Sequence, residues 1–280
     1  MRPGAVVDLM ARAELAELAA ARMGIARSYS IDRREVTSLF SEDAAEADST
    51  ARKFFGEFDE ILSFFAFDDA AYRRGLERAS GGALTFHRFR PPGEGHIAEL
   101  YLRSIGAPAC PVESRIDLTP GDRKSAHDIL ARVGVAPRKF VILLPGSGST
   151  RKNWSAERFV ALARIVEKDL AMRALAILGP AEDTLAPIFQ RTGLAILTGL
   201  PLASVAALCA VAAAFVGNDS GVSHLAAAAG AKGVVIFGPT DPSRWRPVGQ
   251  VRTLQTANLA ALTVDQVARA LEETLQSIKS

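Results

Sequence analysis

The sequence is poor in three things: charge imbalance, cysteine, and apolar stretches free of breaks. Lys and Arg number 33 against 31 Asp and Glu, a formal net charge of +2. That near-balance leaves no basic stripe or patch of the sort a nucleic-acid-binding surface needs. The 280 residues hold two cysteines, Cys110 and Cys209, far apart and at no metal or redox spacing. A reduced, cytoplasmic protein without a metal cluster or cofactor is the expectation. Met1 to Ala20 contains Asp8, Arg12, Glu14 and Glu17, which excludes the uncharged core of a secretory signal. The one candidate membrane span is the uncharged run Thr192 to Asn218. It is long enough, but Gly193, Gly199 and Pro201 interrupt it and Thr198-Gly199-Leu200-Pro201 reads as a turn. A buried strand, a turn and a buried helix account for it better. No internal repeat of fixed period is present.

What the sequence does contain is an alternation of strand and helix signals, regular from Phe140 onward. Phe140-Val141-Ile142-Leu143-Leu144 is a short apolar run ending in Pro145-Gly146, the mark of a fully buried parallel strand. Ser155-Ala156-Glu157 opens an amphipathic helix to about Leu170, with Phe159, Leu162, Ala163 and Val166 on one face. Strands are expected at Ala174–Leu178, Ala195–Leu197, Ala213–Gly217, Gly233–Phe237 and Val251–Leu254. Helices are expected at Glu182–Gln190, Leu202–Val211, Ser220–Ala229 and Val264–Ile278, the last with Thr263 as candidate cap. This is the pattern of an α/β, doubly wound parallel sheet. The first half is less regular. Ala5–Leu9, Ala26–Ile31 and Glu60–Phe67 read as strands, and Ala13–Met23, Ile97–Ile105 and Arg123–Val133 as helices. Pro108, Pro111, Pro120 and Pro137 punctuate the approach to the second half. Two Rossmann-like domains follow, 1–137 and 138–280, a length that suits two modest cores better than one.

Three stretches at strand ends carry the candidate chemistry. Between Arg191 and Lys232 the single Asp, Glu, Lys or Arg is Asp219, in Gly217-Asn218-Asp219-Ser220-Gly221. A lone carboxylate in apolar surroundings is costly unless it is hydrogen-bonded or used. It stands just before the helix bearing Ser223 and His224, where doubly wound sheets bind ligands and helix N-termini favour diphosphates. Helix capping by Asp219 or Ser220 would account for the carboxylate alone; the tight turn followed by His224 favours a ligand site. The second stretch, Pro145 to Trp154, offers the backbone N–H groups of Gly146, Ser147 and Gly148, hydroxyls, and the cations Arg151 and Lys152. Such a loop can cradle a diphosphate while Lys152 neutralises charge on a leaving group, although a solvated turn fits the same residues. It lacks the spacing of a Walker A loop. The third, Phe237-Gly238-Pro239-Thr240-Asp241-Pro242-Ser243-Arg244-Trp245, is either a wall of the same crevice or a Pro-stiffened surface turn.

In that order, Pro-Gly…Lys152-Asn-Trp154, Asp219-Ser-Gly-Val-Ser-His224 and Phe237-Gly-Pro-Thr-Asp-Pro242 resemble glycosyltransferase family 9, the ADP-heptose:lipopolysaccharide heptosyltransferases. The resemblance covers nearly the whole second half. It implies a GT-B fold of two facing Rossmann-like domains, with the sugar nucleotide held mainly by the C-terminal one. It implies donor contacts from Ser147, Gly148, Lys152, Glu182, Asp219, Ser220, Gly221 and His224. Lys152 and Asp219 would be the catalytic pair, and Glu182 the carboxylate that meets the donor ribose. The loop His87-Arg88-Phe89-Arg90-Pro91-Pro92-Gly93 resembles an acceptor-facing segment, so His87, Arg88 and Arg90 become candidates for a polar acceptor rich in phosphate and carboxylate. His127 is expected on an exposed helix face.

The first half matches the family more loosely. Ala5–Leu9 lines up with the family's second strand, so the expectation is an N-terminal domain without its first βα unit, whose loop carries the general base. The implied activity is inverting transfer of heptose or a related sugar from an ADP-sugar to a lipopolysaccharide core acceptor, without metal, in the cytoplasm and with peripheral contact at the inner membrane face. Two other readings remain: a non-catalytic sugar-nucleotide-binding scaffold derived from such an enzyme, and a nucleotide-sugar epimerase of GT-B fold.

Overall fold

The computed structural model describes residues 4–41, 44–108 and 110–276. Their contacts divide the chain into two compact units, one formed by Met1–Ala20 and Gly24–Pro111, the other by Ala21–Met23 and Val112–Ser280.

In the first unit, β1 (Asp8–Ala11), α1 (Ala13–Ala19) and β2 (Arg27–Ser30) form one parallel βαβ step, with Asp8 opposite Arg27. Then come α2 (Arg34–Thr37), a 3-10 turn at Ser38–Phe40 and α3 (Ala44–Phe55). A second step follows: β3 (Glu60–Ser63), α4 (Ala70–Ala79) and β4 (Ala83–Phe86), again parallel. Last is α5 (Ile97–Ser104). One core serves both strand pairs. Val36, Leu39, Phe55, Tyr72 and Leu76 are buried in it, and Met10, Ile61, Leu84 and Phe86 pack against it.

Several expectations shift here. The first strand begins at Asp8, not Ala5, because pairing starts where Arg27 meets Asp8, its Nε 2.8 Å from Oδ2, while Val6 stays exposed. The third ends at Ser63 and not Phe67, since Ala66 sits at φ 47°, outside strand geometry. Helices α2, α3 and α4 and strand β4 were not expected at all. Gly75 lies inside α4 because a Cβ there would run into the Leu39 backbone, so close approach of helix and turn demands glycine.

The second unit opens with α6 (Pro120–Val133), started by a capping box in which Thr119 and Asp122 bond each other's backbone N–H groups. Then come β5 (Phe140–Leu144), α7 (Ala156–Lys168), β6 (Arg173–Leu178), α8 (Ala186–Gln190), β7 (Ala195–Thr198), α9 (Leu202–Val211), β8 (Ala214–Asn218), α10 (Gly221–Ala228), β9 (Gly233–Phe237), α11 (Pro242–Trp245), β10 (Val251–Gln255) and α12 (Val264–Gln276). The sequence expectations hold here to within a few residues, except that Glu182–Gln190 divides into a 3-10 turn at Pro180–Glu182 and α8. The expected helix end at Ile278 lies outside the described residues.

The six strands are all parallel, in the order β10-β9-β8-β5-β6-β7. The chain winds outward from β5 through β6 to β7, then returns to β8 on the other flank of β5 and winds outward again. The point of reversal lies between β5 and β8, where Leu144 pairs with Gly217. Val141, Leu143, Val216, Val234 and Ile236 bury one face under Phe159 and Val166 of α7 and Val267 and Leu271 of α12. The alternate residues Ile142, Phe215 and Val235 are equally buried, so both faces are covered and the strands read as continuous apolar runs.

The Thr192–Asn218 run resolves into β7, a turn with Gly199 at φ 64°, α9 and β8. Among the described residues no helix is long and apolar enough to cross a membrane. Residues 112–137, assigned from the sequence to the first domain, lie in the second unit. There α6 packs on α9, and Arg22 reaches Asp122 through two bonds of 2.8 and 2.7 Å.

Candidate functional site

The switch point of a doubly wound sheet leaves a crevice beyond the carboxyl ends of its two central strands. Here the loop Pro145–Trp154 leaves β5 and the turn Asn218–Gly221 leaves β8, side by side. Lys152 stands on a 3-10 turn, Thr150–Lys152, inside the first loop. Its Nζ is 3.1 Å from Asp219 Oδ2 and 3.1 Å from the Asp219 carbonyl oxygen. The Lys152 side chain is 25% exposed and that of Asp219 8%. Thr240, at the end of the loop after β9, donates its hydroxyl to the same Asp219 oxygen at 2.8 Å. The three stretches singled out in the sequence therefore meet at one carboxylate, whose charge is met by a cation and a hydroxyl, as a buried charge requires.

Ser220 caps α10, accepting from the Ser223 N–H. The N–H groups of Gly221 and Val222 begin the helix ahead of its own hydrogen-bond ladder and carry the positive end of the helix dipole. His224, half-buried, follows in the first turn. Glu182 Oε2 accepts from the Gly179 N–H at 2.8 Å, and a Cβ on Gly146 would run into the Glu182 carboxylate. Glu182 therefore lies against the start of the Lys152 loop. Gly148 and Gly221 differ from Gly146: a Cβ at either would meet nothing within 4 Å, and neither has a positive φ. Ser147 shapes its own loop, its Oγ 2.7 Å from the Ser149 carbonyl oxygen and 2.6 Å from Asn153 Oδ1.

The candidates in the first unit sit together at the carboxyl end of β3 and β4. His87 stacks on Phe64 at 4.9 Å between ring centroids and lies 3.2 Å from Thr85 Oγ1. The Arg88 guanidinium lies 4.5 Å from the centre of the Phe67 ring and 3.5 Å from Asp68. Arg90 is exposed in the same loop, and Phe89 between the two arginines is 67% exposed. His96 serves as the cap of α5, accepting from the Ala98 N–H, and His127 is exposed on α6. Among the described residues no group of three His, Cys, Asp or Glu side chains is placed to hold a metal ion. Burial in α9 pushes the Cys209 thiol up to about 12, which removes it from nucleophilic use.

Sequence reasoning left two residues of this site without a role. Thr240 lies inside the third stretch, but nothing in the local sequence shows that its hydroxyl faces Asp219. Asn218, fully buried, carries no sequence signal beyond standing next to the charged residue.

A parallel doubly wound sheet with a cation, a carboxylate and a helix start at its switch point has the architecture in which open α/β sheets bind their ligands. Comparison with known families makes it more specific. The model of glycosyltransferase family 9 (heptosyltransferase) matches residues 88–270, more than half of the chain. The chain belongs to that family and is a glycosyltransferase. Among solved structures it is similar to a family 9 glycosyl transferase from Veillonella parvula, with 17% identity over 97% of this chain and 89% of that one and a TM-score of 0.80. ADP-heptose lps heptosyltransferase II of E. coli is 17% identical over 100% of this chain and 92% of its own, with a TM-score of 0.74. The E. coli heptosyltransferase WaaC with ADP is 19% identical over 97% and 91%, with a TM-score of 0.69. These likenesses place the fold in the GT-B class. No curated protein sequence matches the chain.

Proposed function

We propose that the second unit binds an ADP-sugar, in the first instance ADP-heptose, and that the protein transfers the sugar with inversion to a lipopolysaccharide core acceptor. The observation that carries this reading is the meeting of Lys152, Asp219 and Thr240 at the switch point, beside the first turn of α10. Lys152 and the N–H groups of Gly221 and Val222 would hold the diphosphate. Asp219, Ser220 and His224 would line the sugar side, and Glu182 would accept from a ribose hydroxyl. Gly148 and Gly221 leave open space that the protein's own packing does not need, which suits close approach of phosphate oxygens to the backbone.

In the reaction the acceptor hydroxyl oxygen bonds to the anomeric carbon as the bond from that carbon to the β-phosphate oxygen breaks. The hydroxyl proton passes to a general base, and ADP departs with the released electron pair. Lys152 stabilises the charge that grows on the diphosphate. Solved structures of a similar fold that hold ADP or ADP-2-deoxy-2-fluoro heptose support the choice of nucleotide. His87, Arg88 and Arg90 would meet the anionic acceptor. The working location is the cytoplasm, with salt-sensitive contact at the inner membrane face.

The test is calorimetric titration with ADP, followed by mass spectrometry of a heptose-deficient core acceptor incubated with ADP-heptose. Binding and a heptose-sized mass gain are expected. Failure to bind ADP refutes the donor assignment. Binding without transfer makes the protein a scaffold, and isomerised sugar without acceptor makes it an epimerase. Recovery from cells only with detergent would contradict the peripheral placement.

A further inference from the structure

We propose that Asn218 is a positioning residue that holds Lys152 at the donor diphosphate by fastening both ends of its loop to β8; the inference rests on the donor reading above. Asn218 is the last residue of β8 and its side chain is fully buried. Its Nδ2 donates to the Pro145 carbonyl oxygen at 2.7 Å, where the loop begins. Its Oδ1 accepts from the Trp154 N–H at 3.0 Å, where the loop ends. The partners dictate the orientation of the amide, since a carbonyl takes a donor and an N–H takes an acceptor. Asn218 is itself fixed from the other side, because Ser223 Oγ in the first turn of α10 donates to its carbonyl oxygen at 2.7 Å. One residue thus joins the entry and exit of the loop through its side chain and the helix start through its backbone carbonyl.

The exit is anchored further by Trp154, which is buried, donates Nε1–H to the Leu262 carbonyl oxygen at 3.0 Å and meets Phe159 edge to face at 5.1 Å. Lys152 lies two residues before that anchor and Asp219 one residue after Asn218. The 3.1 Å contact between them is therefore set by the Asn218 bridge rather than by a search of two free side chains. Neither the isosteric acid nor the isosteric apolar residue serves. Aspartate lacks the donor and adds a charge beside Asp219. Leucine orphans both backbone groups, and an orphaned buried group costs more than the bond it loses. A slack of about 1 Å in a reacting group is enough to lower a rate by orders of magnitude.

A double-mutant cycle separates positioning from general packing. Asn218→Ser, Lys152→Ala and the pair together are titrated with ADP and with adenosine, which lacks the diphosphate. In the wild-type background Asn218→Ser should weaken ADP about tenfold and adenosine less than about twofold. In the Lys152→Ala background it should change ADP by less than about twofold, since there is no longer a cation to place. Equal losses on ADP and adenosine, or the same loss in both backgrounds, overturn the proposal. If wild-type protein does not bind ADP, the donor reading fails and this inference falls with it. If it binds and Lys152→Ala weakens it while Asn218→Ser does not, the positioning role alone is wrong. Should Asn218→Ser fail to fold, amide exchange of the wild-type protein decides. The Trp154 N–H should exchange as slowly as those of β8, and exchange at a loop rate refutes the bridge.

Discussion

Glycines offer the sharpest test of the donor site, because the structure sorts them by who needs the missing side chain. At Gly217 a Cβ would stand 2.5 Å from Ser223 Oγ and 3.0 Å from the Leu144 side chain inside the core, so the fold itself requires glycine. At Gly221 and Gly148 a Cβ meets nothing within 4 Å and the backbone is not left-handed, so the fold has no objection to alanine. Gly221→Ala and Gly148→Ala should leave unfolding unchanged or raise stability by about 0.4–1 kcal/mol, through the smaller entropy of the unfolded chain. For a unit of this size that is a rise of roughly 1–4 °C in Tm. Gly217→Ala should instead cost about 1–3 kcal/mol as an overpacked core position.

Ligand binding should respond in the opposite order. A phosphate oxygen bonded to the Gly221 N–H lies against its Cα, and a methyl group there forces it away. An overpacking cost of about 1–3 kcal/mol corresponds to roughly 5- to 150-fold in affinity. Scanning calorimetry gives the stability half and isothermal titration with ADP the binding half. If Gly221→Ala and Gly148→Ala both bind ADP as the wild type does, the diphosphate is not against this loop and helix start. If both unfold early, the sorting of glycines is wrong.

Two further outcomes rest on charge. Lys152→Met should weaken ADP by about 1.5–3 kcal/mol, the range of a hydrogen bond to a charged group. It should also lower the Tm of the free protein, since Asp219 keeps Thr240 but loses its cation; undiminished ADP affinity would remove Lys152 from the site. The second concerns acid stability. The Arg22 guanidinium, followed by the Thr119 hydroxyl and N–H, holds the Asp122 carboxyl down at about 2. A carboxyl lowered in the folded state stabilises it above the ordinary carboxylate range and loses that contribution as pH falls through about 2. Between about pH 4 and 2 the loss should reach about 2 kcal/mol. Arg22→Ala should flatten that part of the denaturant-measured stability curve, and an unchanged acid limb would show that Arg22 does not hold the carboxyl.

The second unit was legible in the sequence because its strands are covered on both faces. Phe140–Leu144 and Gly233–Phe237 must be apolar throughout, so their bounds could be read to the residue. The first unit gave no such signal. Its strands are four residues long and half-exposed, and α4 carries a glycine in its middle for the sake of Leu39. Asp219 stood out through the absence of other charges around it. Thr240, Asn218 and the approach of Glu182 to Gly146 are products of tertiary packing, and local pattern is silent about them. The reach of Arg22 to Asp122, a hundred residues along the chain, is the same kind of fact, as is the packing of α6 on α9, through which the boundary drawn by contacts differs from the one read from prolines.

On the proposed reading, the pairing of Lys152 with Asp219 in the free protein bears on turnover as well as on binding. An unpaired, part-buried ammonium would be costly to keep in place and would grip any diphosphate strongly, product included. Paired with a carboxylate that Thr240 also holds, it presents a cation already located but largely neutralised. An incoming donor must share that cation with Asp219, so ground-state binding gains less than a bare lysine would give. As the sugar–phosphate bond breaks, negative charge on the departing diphosphate increases while that on Asp219 does not, and the balance of the ammonium shifts toward the phosphate. The interaction is then stronger in the transition state than with bound donor, which is the condition for raising the rate rather than merely tightening binding. After transfer, Asp219 remains as the competitor that weakens the hold on ADP. The same carboxylate that pairs with Lys152 thus favours release of the product.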